Sequence, residues 1–85
     1  MQESFVSTII ISGIDRVGML FDIMKVITTD SVNIKAISIE SKDGVFEGKI
    51  TIFVHDVKDI QKLCSQLMKI DGVQSVNRSL EFNKE

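Results

Sequence analysis

The sequence predicts an α+β sandwich in which a four-stranded antiparallel sheet carries two helices on one face. Three observations predict it. Segments rich in β-branched residues or alternating in polarity run from Phe5 to Ile14, Asn33 to Ser41, Val45 to Val54 and Val73 to about Leu80. Two stretches with helical spacing of apolar residues follow the first and third of these. The dipeptide Asp43-Gly44 separates the second and third, where a tight hairpin needs positive φ.

The first helix is expected from Leu20, Ile23, Met24 and Ile27, spaced i, i+3, i+4, i+7, with Asp22, Lys25 and Thr28 on the opposite side. Strands two and three then pair antiparallel across the Asp-Gly turn. Asp56 is placed to cap the second helix, whose stripe is Ile60, Leu63, Cys64 and Leu67 and whose outward residues are Lys58, Gln61, Lys62 and Lys69. That helix is expected to end at Asp71-Gly72, where glycine tolerates a left-handed cap. The order is βαββαβ, and right-handed crossovers turn it into a ferredoxin-like layer with sheet order 4-1-3-2.

The chain has 85 residues, 44% hydrophobic and 26% charged. That is the size of one small domain, read here as residues 1–85 with a core over about 5–80 and a short polar tail at Asn83-Lys84-Glu85. Folding at this length buries only about 60 to 65% of the unfolded surface. Oligomerisation or docking is therefore expected to complete a thin core. Ile9, Ile10 and Ile11 are consecutive and apolar on both faces of strand one, while the helices cover one face. Ile9 and Ile11 are accordingly candidate interface residues, set against a second copy or another part of a larger protein; the plainer alternative is a central strand with one partly exposed isoleucine.

Several function classes are disfavoured. The net charge of −2 is spread along the chain without the clustered basic face that phosphate backbones need, so no sequence-specific nucleic acid is expected. Gly44-Val45-Phe46-Glu47-Gly48-Lys49 carries a glutamate and lacks the stacking pair of an RNA-recognition strand. Lys58, Lys62 and Lys69 form a modest basic edge, most simply a solvated face. Apolar runs such as Thr8 to Ile11 fall far short of the roughly 18 to 20 residues that span a bilayer, and no charged leader precedes them. The lone Cys64 excludes an internal disulfide or a CxxC pair and suits a reducing compartment; a soluble, cytoplasmic chain is expected. Cys64 and the four methionines read as core filling. The single His55 reads as a turn residue without co-ligands, and no metal site or cofactor is expected.

The most informative segment is Gly13-Ile14-Asp15-Arg16-Val17-Gly18-Met19-Leu20, a turn with two glycines that opens an amphipathic helix. The first N–H groups of that helix lack intrahelical partners and suit a carboxylate, and Asp15 is placed to receive an ammonium group. Together these suit a free amino acid, with Gly13, Asp15, Arg16, Gly18, Met19 and Leu20 as candidate ligand-binding residues. A structural alternative stands beside it, in which Asp15 caps the helix, Arg16 is solvated and the glycines serve the turn.

Gly13-x-Asp15-Arg16-x-Gly18-Met19-Leu20 resembles the G-x-D-R-x-G-L-L signature that opens many ACT domains. Val32-Asn33-Ile34, the helix from Val57 to Leu67, and Ile70-Asp71-Gly72-Val73 leading to Val76 and Arg78 resemble the C-terminal ACT domain of RelA/SpoT-type guanosine polyphosphate synthetase-hydrolases, or GTP pyrophosphokinases. The similarity runs from about Val6 to Arg78. Met19 departs from the usual leucine, and Asn77-Arg78 stands where a pair of arginines is common, which removes one basic contact.

The resemblance implies a regulatory segment that senses amino-acid starvation directly or through the ribosome, in a homodimer or larger assembly. It also implies that nucleotide chemistry resides in upstream domains. The chain itself shows no GxxxxGK[ST] loop and, apart from the Asp15-Arg16 dyad, no convergent acid, base and nucleophile, so no catalysis is expected of it. The tail of another metabolic enzyme, a stand-alone ACT regulator, and a pure protein or ribosome interaction module are the alternatives.

Overall fold

The structure, a computed structural model, describes residues 5–82; Met1 and the tail at 83–85 lie outside the described residues. In chain order the elements are β1 (Phe5–Ile14), α1 (Met19–Thr29), β2 (Asn33–Lys42), β3 (Val45–Val54), α2 (Val57–Met68) and β4 (Val73–Phe82). The sheet runs β2-β3-β1-β4 with every pairing antiparallel, which is the predicted 4-1-3-2 order read from the other edge. Asp43 at φ 55° and Gly44 at φ 83° both take the left-handed conformation that a two-residue hairpin requires.

Strand parity decides which side chains meet the helices. Ser7, Ile9, Ile11 and Gly13 of β1 are buried together, and Ile9 and Ile11 pack with Ile50 and Ile52 of β3 against Ile23 and Ile27 of α1 and Leu63 and Leu67 of α2. This corrects the expectation that Ile9 and Ile11 lie on the open face: both are 0% exposed, inside the core. Thr8, half-buried Ile10 and Ser12 have the other parity, and there Thr8 faces Thr51 and Ser12 contacts Ser75 across the strands. Along β1 the uncovered face thus alternates apolar Val6, Ile10 and Ile14 with the hydroxyls of Thr8 and Ser12.

The helices differ in detail from their predicted stripes. In α1 the buried residues are Met19, Ile23 and Ile27, while Leu20 is 52% exposed. In α2, Ile60, Leu63 and Leu67 are buried and Cys64 sits half-buried beside them. Asp56 caps α2 as predicted, its carboxylate accepting from the Lys58 amide at 2.9 Å. The helix stops at Met68, with Lys69 as its cap, rather than at Asp71-Gly72. Gly72 keeps the predicted positive φ, 97°, but spends it on the turn into β4, closed by the Val73 amide donating to the Ile70 carbonyl at 3.1 Å.

Candidate functional site

The β1–α1 turn is pinned from two sides. The Ile14 amide donates to the Gly72 carbonyl at 2.8 Å, and the Asp15 amide donates to the Gly44 carbonyl at 3.0 Å. One bond ties the turn to the α2–β4 connection and the other to the β2–β3 hairpin. Gly13 is buried because the Gly72 backbone occupies the place where a side chain would begin.

Gly18, at φ 85°, is the N-cap of α1, and no side chain caps the helix. The capping role open to Asp15 in the sequence is therefore not the one it takes; its side chain is exposed at the rim. The Met19 amide is used by the Arg16 carbonyl at 3.2 Å. Helix geometry leaves the next amides, those of Leu20 and Phe21, as the end-of-helix donors.

Arg16 is not the freely solvated side chain of the structural alternative. Its Nε donates to the Asp71 carbonyl at 2.9 Å, one terminal nitrogen to the Val17 carbonyl at 3.1 Å, and the other to Asp22 Oδ2 at 2.7 Å. The guanidinium thereby clasps the turn, the first turn of α1 and the α2–β4 connection.

A cavity of about 320 Å³ opens between the start of α1 and the helix-facing side of the β2–β3 hairpin. Asp15, Arg16, Gly18, Met19 and Leu20 line it, as the sequence expectation groups them. Gly13 does not; its place is structural. Phe21, Ile39, Ser41 and Phe46 complete the lining and are absent from the sequence expectation. Hairpin register carried the missing signal, since Phe46 pairs with Gly13 and with Ser41, which sets β2 and β3 beneath the turn. Gly48 lies one step further in, where Ile11 and Ile39 close over the position a β-carbon would take.

On the far side of the Arg16–Asp22 pair lies a second depression of about 430 Å³ between α1 and α2, with Asp22, Lys25, Gln66 and Asp71 among its lining. Elsewhere, burial pushes the Cys64 thiol up from its ordinary pKa, against a smaller opposing influence of the Arg78 charge. Among the described residues no three His, Cys, Asp or Glu side chains converge as metal ligands. No helix among them is long and apolar enough to cross a membrane, which says nothing of crossing by strands.

Comparison with known proteins agrees with this fold. The family model of the ACT domain matches residues 1–78, and the chain belongs to the ACT-domain family. The crystal structure of the ACT domain from the GTP pyrophosphokinase of Chlorobium tepidum is 36% identical, with a TM-score of 0.83 over 89% of this chain and 99% of that one. The solution structure of the same domain gives 36% identity and a TM-score of 0.79, over 89% of this chain and 86% of that one. A homoserine dehydrogenase from Thiobacillus denitrificans, 20% identical with a TM-score of 0.72 over 91% of this chain and 17% of its own, shares the fold. No curated protein sequence matches.

Proposed function

We propose that this ACT domain is the regulatory segment of a RelA/SpoT-type GTP pyrophosphokinase, and that the cavity under its β1–α1 turn binds a free amino acid with an apolar side chain. The observation that carries the reading is the convergence of opposite charges and apolar surface in one cavity: Asp15 and Arg16 at the rim, Met19, Ile39 and Phe46 below. The Asp15 carboxylate suits an α-ammonium. The Leu20 and Phe21 amides and the Arg16 guanidinium suit an α-carboxylate. The likeness to a GTP pyrophosphokinase ACT domain over 89% of the chain supports the choice of parent enzyme.

On this reading the nucleotide chemistry belongs to other domains of a cytoplasmic enzyme, and the signal passes to them or to the ribosome. The domain works as a homodimer or larger assembly. Since Ile9 and Ile11 are core residues, the element offered to a second copy is the free edge of β2, next to half-exposed Leu20 and to Ile37, which is 37% exposed.

A backbone amide titration of this chain with single amino acids, branched-chain ones first, tests the site. Saturable shifts centred on Asp15 to Phe21, Ile39 and Phe46 are expected. A flat titration for every amino acid overturns it. A second reading, a protein-docking module without a small ligand, is favoured by Val17 and Phe21, 99% and 68% exposed at the same rim. A flat titration together with an oligomer that dissociates on Phe21→Asp supports that second reading.

A further inference from the structure

Resting on the amino-acid reading of the cavity, we infer that Asp22 is a resident anion that competes with the ligand's carboxylate, so that the Arg16–Asp22 pair sets how much amino acid the domain needs. The cavity offers a carboxylate two positive elements, the uncapped N-terminus of α1 and the Arg16 guanidinium. Asp22 already stands against both. It places its charge in the first turn of α1 without capping the helix, and its Oδ2 accepts a hydrogen bond from Arg16 at 2.7 Å.

The competition is one of charge and needs no large movement. Arg16 has five N–H donors, and three are engaged by Asp71, Val17 and Asp22. The guanidinium lies close to the helix start, with one terminal nitrogen 3.6 Å, an ordinary contact distance, from where a Gly18 β-carbon would stand. A ligand carboxylate arriving there shares this guanidinium and the helix terminus with Asp22, and two like charges in one site weaken each other. The pair is 28% and 40% exposed, so solvent screens the effect to a modest size.

Asp22 also borders the depression between α1 and α2, together with Asp71, whose carbonyl accepts from Arg16. Occupation of the turn cavity is thus sensed on the opposite side of α1. Asp22 acts through Arg16 and is a positioning residue.

The experiment is calorimetric or NMR titration of L-leucine into the wild-type chain, Asp22→Asn, Arg16→Gln and the double variant, at low and high salt, with leucinamide as the ligand lacking a carboxylate. Asp22→Asn is expected to bind leucine about fivefold more tightly at low salt, with the gain fading near 1 M salt. Arg16→Gln is expected to weaken binding by about tenfold, and Asp22→Asn to give much less gain in its background. Leucinamide is expected to gain nothing from Asp22→Asn. Asp22→Ser serves as a second neutral variant should the asparagine disturb the fold. Saturable leucine binding that is equal or weaker in the folded neutral variants overturns the role of Asp22 while leaving the site intact. Failure of leucine and the other aliphatic amino acids to bind wild type and variants alike overturns the site and this inference together.

Discussion

Gly13 and Gly72 meet backbone to backbone. A β-carbon on Gly13 would collide with the Gly72 carbonyl oxygen and lie 2.9 Å from the Val73 Cα. That same carbonyl accepts from the Ile14 amide, so the collision cannot be relieved without losing the bond that fixes the turn. Gly13→Ala is therefore expected to destabilise the chain by about 3 kcal/mol or more, near the upper end of overpacking costs because the obstacle is backbone. Gly44→Ala is the control. Gly44 has open space around it and φ 83°, so its cost is the left-handed penalty alone, about 1 kcal/mol. Urea unfolding midpoints of the two variants check the contrast, and equal midpoints would show that the close approach does not hold.

The three consecutive isoleucines of β1 make a second test. Ile11 packs in the core beside Gly48, and Ile11→Ala is expected to cost about 2 to 5 kcal/mol. Ile10 is half-buried on the face away from the helices, and Ile10→Thr is expected to cost about 1 kcal/mol or less. Denaturant unfolding monitored by circular dichroism separates the two. If Ile10→Thr proves the costlier change, the strand parity is wrong.

That parity was not legible in the sequence. A continuous apolar run carries no period, and its flanks are mixed: Ser7 shares the parity of Ile9 and Ile11, while Val6 and Ile14 share that of Ile10 with Thr8 and Ser12. The strands, the Asp43-Gly44 hairpin and the Asp56 cap were readable because each depends on local chemistry. Of the residues lining the cavity, Asp15, Arg16, Gly18, Met19 and Leu20 fall in one short segment, so that their grouping was readable for the same reason. Ile39, Ser41 and Phe46 reach the cavity only through hairpin register, a long-range relation that periodicity within one strand does not encode. The Arg16–Asp22 pair was hidden differently, because Asp22 reads as the solvent side of an amphipathic helix until the turn before it is folded back.

The end of α1 offers a stabilising change. Asp30 is its cap, the Ser31 amide donates to the Thr28 carbonyl at 3.0 Å, and the Val32 amide donates to the Ile27 carbonyl at 3.3 Å. These are the two bonds of a Schellman motif, and Ser31 occupies the left-handed position at φ 57° where glycine is the favoured residue. Ser31 is exposed, so little packing is lost with its side chain. Ser31→Gly is expected to raise stability by about 0.5 to 1 kcal/mol, relief of the left-handed strain outweighing the added freedom of the unfolded chain. An unchanged or lowered thermal midpoint would show that the serine side chain contributes more than its exposure suggests.

Cys64 ties stability to pH at the alkaline end. Burial in the α2 stripe disfavours the thiolate and raises its pKa above the ordinary 9.0, the Arg78 charge opposing this only in part. Because the folded chain holds the proton more tightly than the unfolded one, the contribution is fully present below pH 9.0 and is lost as pH rises through the folded value. The unfolding midpoint of the wild-type chain should accordingly fall as pH rises above 9.0 by more than that of Cys64→Ala. Below that window, at pH 8, the thiol of the native chain should react with a disulfide reagent more slowly than that of the same chain in urea, since less of it is thiolate and less of it is accessible. Equal rates in the two states would remove Cys64 from the packed stripe. A fast native reaction that slowed when Arg78 was neutralised would instead make Arg78, not burial, the dominant influence on the thiol.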